Sequence, residues 1–520
     1  MMKEGDGNIL LFFLFNDQVM NRIIIIFGFL FITAVSSAQY KYDFNKNCSE
    51  AYTLVLSLKF DEAQKLIDKE KQLNPDNNIP YLVENYIYFL KVFIGEEESV
   101  FEELDEKKDD IIDRLEDGDK SSPYYNYSLA QVYLQWAFAR TKFKEYFTAA
   151  LEINRAYRKL ENNEEKFPDF LPDKINLGLL HTMIGTIPDS YNWIKKIVGI
   201  KGTVNQGTNE ILQVLDASLK EEKYAHFKAE CLFYLSFIKL NLSTEKGKAL
   251  DYIDMITQDD SDKSYLSSPL TIYAMARIYM GNGMNEKALN LLLQRPKGSE
   301  YFPFHYLDYL TGLAKLQKLD KDANLYFLRF IEEFKGINYI KAAYQKIAWY
   351  YAVNGNNFMY KEYIAKVEEN GYDIADADKQ AEKEAERDIV PNAVLLKARL
   401  LFDGGYYERA MKVLTVDNKG FLKDERDSLE YTYRLGRIYH GWGKTDDAIP
   451  YYLQTVKNGS ESEYYYAANS ALQLGLIYEK RKDYKKARIY YEKARSMENE
   501  EYKNSIDQKA KAGLSRIEDK

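Results

Sequence analysis

The sequence predicts an all-α protein, a stack of antiparallel helix hairpins forming an α-solenoid, and three observations lead there. The first is a recurring spacing: a small residue, a Tyr or Leu three positions on, and an Ala twelve positions on. It occurs at Ala398/Leu401/Ala410, Gly436/Tyr439/Ala448 and Gly475/Tyr478/Ala487. In a helix hairpin these positions meet where the two helices touch, and small side chains there let the backbones approach closely. The second is the lack of recurring strands: no period-two alternation with turn dipeptides repeats along the chain. The third is composition. With 46% hydrophobic and 29% charged residues, the 520-residue chain has the apolar content for a long packed structure and is not wholesale disordered.

These positions resemble the tetratricopeptide repeat (TPR), a helix-turn-helix unit of about 34 residues that stacks into a solenoid. Leu435, Gly436, Tyr439, Ala448 and Tyr452 fill five signature positions in one copy. Leu474, Gly475, Tyr478, Ala487, Tyr491 and Ala494 fill six in the next. The resemblance implies a scaffold that binds a protein or peptide in a concave groove, rather than an enzyme.

From the N-terminus, Met20-Asn21-Arg22 gives a short basic start, Ile23 to Val35 an apolar run, and Ser36-Ser37-Ala38 a small-residue cleavage site. This order is that of a secretory signal, so residues 1–38 are expected to be a leader, with translation starting at Met20. Export implies a periplasmic or outer-membrane-associated protein if the source is Gram-negative. Residues 39–166 are expected to form TPR-like hairpins. Ala51 and Ala63 keep the twelve-residue spacing, and Pro75 falls where a second helix must stop. The acidic stretch Glu96 to Asp119 keeps apolar residues at helical spacing and lacks the alternating ligands of a calcium loop.

Residues 167–218 carry Gly178, Pro188, Gly199, Gly202 and Gly207 around Trp193, a punctuation that predicts an insert of three short helices. With Ile187, these residues resemble a signature of the eukaryotic inclusion-body-clearance and tetratricopeptide-repeat-39 family. Residues 219–370 are expected to return to hairpins, with Ala276/Tyr279/Ala288 in register and Gly312 and Ala323 one residue short. A charged connector is expected over 371–390, three clear repeats over 391–498 and a polar capping helix over 499–520.

The net charge of −9 argues against nucleic acid as partner. No cofactor or metal is expected: the four histidines have no second ligand at metal spacing. Gly443-Lys444-Thr445 lacks the glycine a phosphate-binding loop needs at position 438, where Ile438 stands. No nucleophile elbow is present. Cys48 and Cys231 make a weak case for a disulfide.

The residue after each small position should face the groove, which selects Arg277, Trp349, Arg399 and Arg437. One turn away lie Tyr273, Tyr433, Phe402 and His440. Arginine offers a rigid fork of donors to carboxylates, and aromatic rings add contact area at low entropic cost, so this set suits an extended acidic peptide. The alternatives at the residue level are arginines paired with a neighbouring hairpin's acids, or facing water. At the level of function they are a glycan-binding protein of the cell envelope on a TPR frame, or membrane association through the segment around Trp193.

Overall fold

The computed structural model describes residues 40–520 apart from 186–192, 194–195, 198, 242–246, 248, 258–265, 388, 416–418, 500 and 519. The expected leader and most of the segment around Trp193 lie outside the described residues. Among the described residues there are 24 α-helices and no named strand. Twenty-two of the helices pair in sequence as eleven antiparallel hairpins. The first five are Lys46–Leu56 with Phe60–Leu73, Ile79–Gly95 with Glu98–Glu116, Pro123–Lys142 with Tyr146–Lys166, Asp173–Ile184 with Val204–Lys220, and Lys228–Asn241 with Ala249–Thr257. The sixth to eighth are Pro269–Gly281 with Asn285–Leu293, Tyr306–Lys318 with Ala323–Glu333, and Ile340–Val353 with Asn357–Glu369. The connector helix Asp376–Ala385 follows. The last three hairpins are Ala393–Asp403 with Tyr407–Leu414, Glu425–Gly441 with Thr445–Asn458, and Tyr466–Lys480 with Tyr484–Ser496. The helix Lys503–Arg516 covers the end.

The small positions do what their spacing demands. Ala51, Ala63, Ala276, Ala288, Ala398, Ala410, Ala448 and Ala487 are buried between paired helices. At Gly436 an added Cβ lies 2.7 Å from the Tyr452 ring, and at Gly475 2.5 Å from the Tyr491 ring. The second helix of these hairpins thus drives an aromatic ring into the gap that the first leaves open, which explains the pairing of a small residue with a buried tyrosine. Hydroxyl and carboxylate oxygens of Ser122, Ser268 and Asp424, and the Asn392 amide oxygen, accept from orphan backbone N–H groups and fix the starts of four first helices.

The tight turns inside the hairpins use a left-handed residue. It is Gly283, Gly355, Gly405 and Gly443 in four hairpins, and Leu58, Glu96, Lys144, Leu319 and Lys482 in five others. Gly443 therefore serves a helix-to-helix turn and not a phosphate loop.

In segment 167–218, where three short helices are expected, the described residues hold two named helices, with Trp193, Lys196 and Ile197 helical between them. Asp173–Ile184 and Val204–Lys220 pack as another hairpin of the stack. Its glycines hold the two backbones in contact: a Cβ on Gly178 sits 2.6 Å from the Gly207 carbonyl oxygen, and one on Gly207 sits 2.0 Å from that of Gly178. Glycine here replaces the Ala–Ala contact of the other repeats.

The stack turns back on itself. Phe302 N–H donates to the Leu58 carbonyl at 2.7 Å, and Ser268 Oγ donates to the Leu56 carbonyl at 3.1 Å. Glu96 accepts from Lys142 Nζ and from Asn338 Nδ2, both at 2.6 Å. Loops of the first three hairpins thereby meet the sixth to eighth.

Candidate functional site

The inner face of the C-terminal half opens into a cleft of about 250 Å³. Its walls come from five elements: Ile340–Val353, the connector, Ala393–Asp403, Glu425–Gly441 and the start of Tyr466–Lys480. Residues 501–502 close one side. Seven Lys and Arg side chains and five Asp and Glu side chains line it, whereas the chain as a whole holds 71 basic against 80 acidic residues. The cleft is therefore locally cationic on an acidic protein.

Trp349 and Arg399, both picked from the sequence, stand in this lining. The Trp349 indole N–H donates to Glu384 Oε1 at 2.6 Å, which fixes the ring. Lys346 Nζ lies 3.6 Å from the ring centroid and the Arg399 guanidinium carbon 4.7 Å from it, a distance at which a cation is attracted by the π face. The acid nearest Arg399 among the described residues is Asp403 on its own helix, at 3.9 Å and partly exposed, a weak pairing. Burial, and then the charge of Arg399, push the Lys346 ammonium down to about 7.

Deeper in the wall, Arg434 is bound to Glu430 at 2.8 Å, and the Tyr466 hydroxyl donates to the other Glu430 oxygen at 2.8 Å. Burial works to raise the Glu430 carboxyl, but Arg434 and Tyr466 hold it below its ordinary value. This pair is internally neutralised and shapes the wall.

Four of the other predicted residues form a satellite beside the cleft. The Arg437 guanidinium lies 4.9 Å from the Phe402 ring, and its Nη1 donates to the Tyr433 hydroxyl at 2.8 Å. Tyr433 is buried. His440 Nδ1 is 3.4 Å from the Tyr452 hydroxyl, and burial pushes the imidazole down to about 4, which keeps it neutral at pH 7. Tyr273 and Arg277 lie in the middle of the stack, where Tyr273 and Tyr306 rings are 6.1 Å apart and Tyr306 and Tyr339 rings 4.5 Å apart. The phenols of Tyr306, Tyr273 and Tyr339 are the electrostatic neighbours of Arg277.

The sequence reading missed Lys346, Glu384, Arg387, Arg434, Tyr465, Glu501 and Tyr502. The sequence marks the connector and the cap only as joint and end cover, yet each sends side chains into the cleft. Lys346 sits three residues before Trp349, so a search of the preceding turn finds it. No local signal marks the others.

Among the described residues no group of three or more His, Cys, Asp or Glu is placed to hold a metal ion. No helix there is long and apolar enough to cross a membrane. Both cysteines are free and buried. No curated protein sequence matches the chain. Residues 427–500, which span the tenth and eleventh hairpins, match the family model described as tetratricopeptide repeat. The chain carries tetratricopeptide repeats.

Proposed function

We propose that this protein is a TPR scaffold that binds an extended acidic segment of a protein partner in the cleft between Ile340 and Tyr502. The observation that carries the reading is the pair of weakly neutralised cations on one indole. Arg399 has only a partly exposed acid at 3.9 Å, and Lys346 Nζ, which donates to the neighbouring Gln345 amide oxygen, has no carboxylate within ion-pair distance among the described residues. Cations held in a recess on a fixed aromatic ring are already desolvated, so a carboxylate that enters gains more from them than from a surface lysine. The TPR match supports protein recognition as the general class. The apolar run and cleavage site at residues 23–38 support export, so the partner belongs to the cell envelope in this reading. The glycines resembling the inclusion-body-clearance family hold two backbones in contact, which supports a packing role for that signature.

The test is binding of the purified chain to synthetic peptides graded in charge. Acidic extended peptides should be retained and neutral ones not. Arg399→Glu should abolish retention with helicity unchanged, whereas Arg437→Glu, which disturbs the satellite on Phe402 and Tyr433, should weaken it less. Retention that survives Arg399→Glu refutes the cleft. Fractionation with N-terminal sequencing of the mature protein tests export and the cleavage site after Ala38.

A further inference from the structure

One side of the cleft is filled by the chain itself. The segment that leads from the last hairpin to the capping helix places the Glu501 carboxylate on Arg387 Nη1, across 114 residues of sequence. The Glu501 side chain is only 13% exposed there. The next residue lays its ring against the last hairpin: Tyr502 and Tyr465 centroids are 4.8 Å apart at 66°. Asn499 Nδ2 donates to the Glu501 carbonyl and pins the segment in place. Tyr502 adopts φ 57°, a left-handed conformation that side chains other than glycine adopt only under constraint.

These contacts are more than a terminal cap needs. A cap must cover the apolar end of the last repeat, and Ile506, Ala510 and Ile517 of the C-terminal segment do so, buried in the same core as Tyr491. Glu501 and Tyr502 instead reach sideways into the lining that also holds Arg399, Lys346 and Trp349. They occupy one end, an acid on the connector arginine and a ring on Tyr465, while at the other end Arg399 has only the weak pairing with Asp403 at 3.9 Å.

Resting on the cleft reading above, we infer that the ligand is a peptide segment in which a carboxylate residue is followed directly by an aromatic one, and that Glu501–Tyr502 holds that seat in the free chain. Arg387 takes the ligand's carboxylate, Tyr465 takes its ring, and the chain beyond runs toward Arg399 and Lys346. An incoming segment must displace the internal pair, which lowers its apparent affinity by the fraction of molecules in which the seat is open.

The experiment uses the full chain and a fluorescein-labelled octapeptide with the sequence of residues 498–505, read by fluorescence polarisation. The Glu501→Gln/Tyr502→Ala variant should bind this peptide at least about tenfold more tightly than the unmodified chain. A control peptide with Gln-Ala in place of Glu-Tyr should not bind it, and adding Arg387→Glu should remove binding. If the double variant loses helicity, Glu501→Gln alone should give a smaller gain of the same sign. No gain in either folded variant, or equal binding of the control peptide, overturns the inference. If acidic peptides without an aromatic still bind in an Arg399-dependent way, only this seat assignment falls. If no acidic peptide binds any of these proteins, the cleft reading falls with it.

Discussion

The two halves of the stack use the same hairpin but treat its inner face oppositely. In the first five hairpins the inner side chains converge on one another. The Tyr52 hydroxyl donates to Glu230 Oε2 at 2.5 Å, and those of Tyr86 and Tyr234 to Oε1 at 3.3 and 3.2 Å. Tyr52, Tyr86 and Tyr127 are buried there, in one apolar core that runs from Cys48 to Tyr252. In the last four hairpins the equivalent face carries Trp349, Arg399 and Lys346 and stays open. The difference shows that a repeat scaffold makes a core where its inner positions hold rings that share one acceptor, and a cleft where they hold cations that repel one another. Phenol donors can close together on a shared carboxylate, whereas two cations gathered on one indole repel each other and leave the recess open.

The largest expected effect lies in the closed half. Gly207→Val forces a side chain into the Gly178 carbonyl, 2.0 Å from the new Cβ, and backbone cannot yield as a ring does. Urea denaturation should show a loss of roughly 3 kcal/mol, against less for Gly475→Ala, whose Cβ meets the side chain of Tyr491. Equal losses would erase this distinction between the two kinds of contact.

Next comes the inner face itself. Tyr52→Phe removes a donor from a buried carboxylate and should cost about 1–3 kcal/mol. Arg399→Met should leave stability within about 1 kcal/mol, because its one ion pair among the described residues is long and partly exposed, while it weakens peptide binding. If the two variants exchanged these outcomes in paired melting and binding assays, the assignment of core and cleft would be reversed.

The closed half should also respond to pH. Burial raises the Glu230 carboxyl above its ordinary value, and burial raises that of Asp173 to about 8. A raised folded pKa means that the stabilisation is fully present below the unfolded value of about 4 and is lost as pH rises through the folded one. Stability of the chain should therefore fall between about pH 4 and pH 8, and Asp173→Asn should flatten the upper part of that decline. A melting temperature independent of pH across this window in both proteins would contradict the burial of these acids.

The smallest effect is at a turn. Lys482 is exposed and sits at φ 61° where four other hairpins use glycine. Lys482→Gly should raise stability by up to about 1 kcal/mol in a thermal melt, since the strain removed exceeds the entropy glycine adds to the unfolded chain. A lower melting temperature would show that the turn is not strained.

The twelve-residue spacing made the hairpins readable from sequence because it is local. Gly436 and Ala448, or Gly475 and Ala487, lie within one unit, and helix geometry alone decides that they meet. The same logic selected Trp349 and Arg399, which follow small positions and stand in the cleft lining. At 167–218 the glycines that read as punctuation also mark close backbone contact between two helices. The spacing also selected Phe402, Tyr433, Arg437 and His440, which pack together with Tyr452 beside that lining. No spacing rule could supply Arg387 and Glu501, because their meeting depends on the accumulated rotation of the hairpins between them.

The sequence by itself determined the unit: its helices, its turns and the small residues that let each pair close, since all of these act within about 34 residues. The tertiary structure decided which inner faces shut and which remain open. That outcome is a sum of small rotations from one repeat to the next, and it brings together side chains whose separation along the chain carries no trace of their contact.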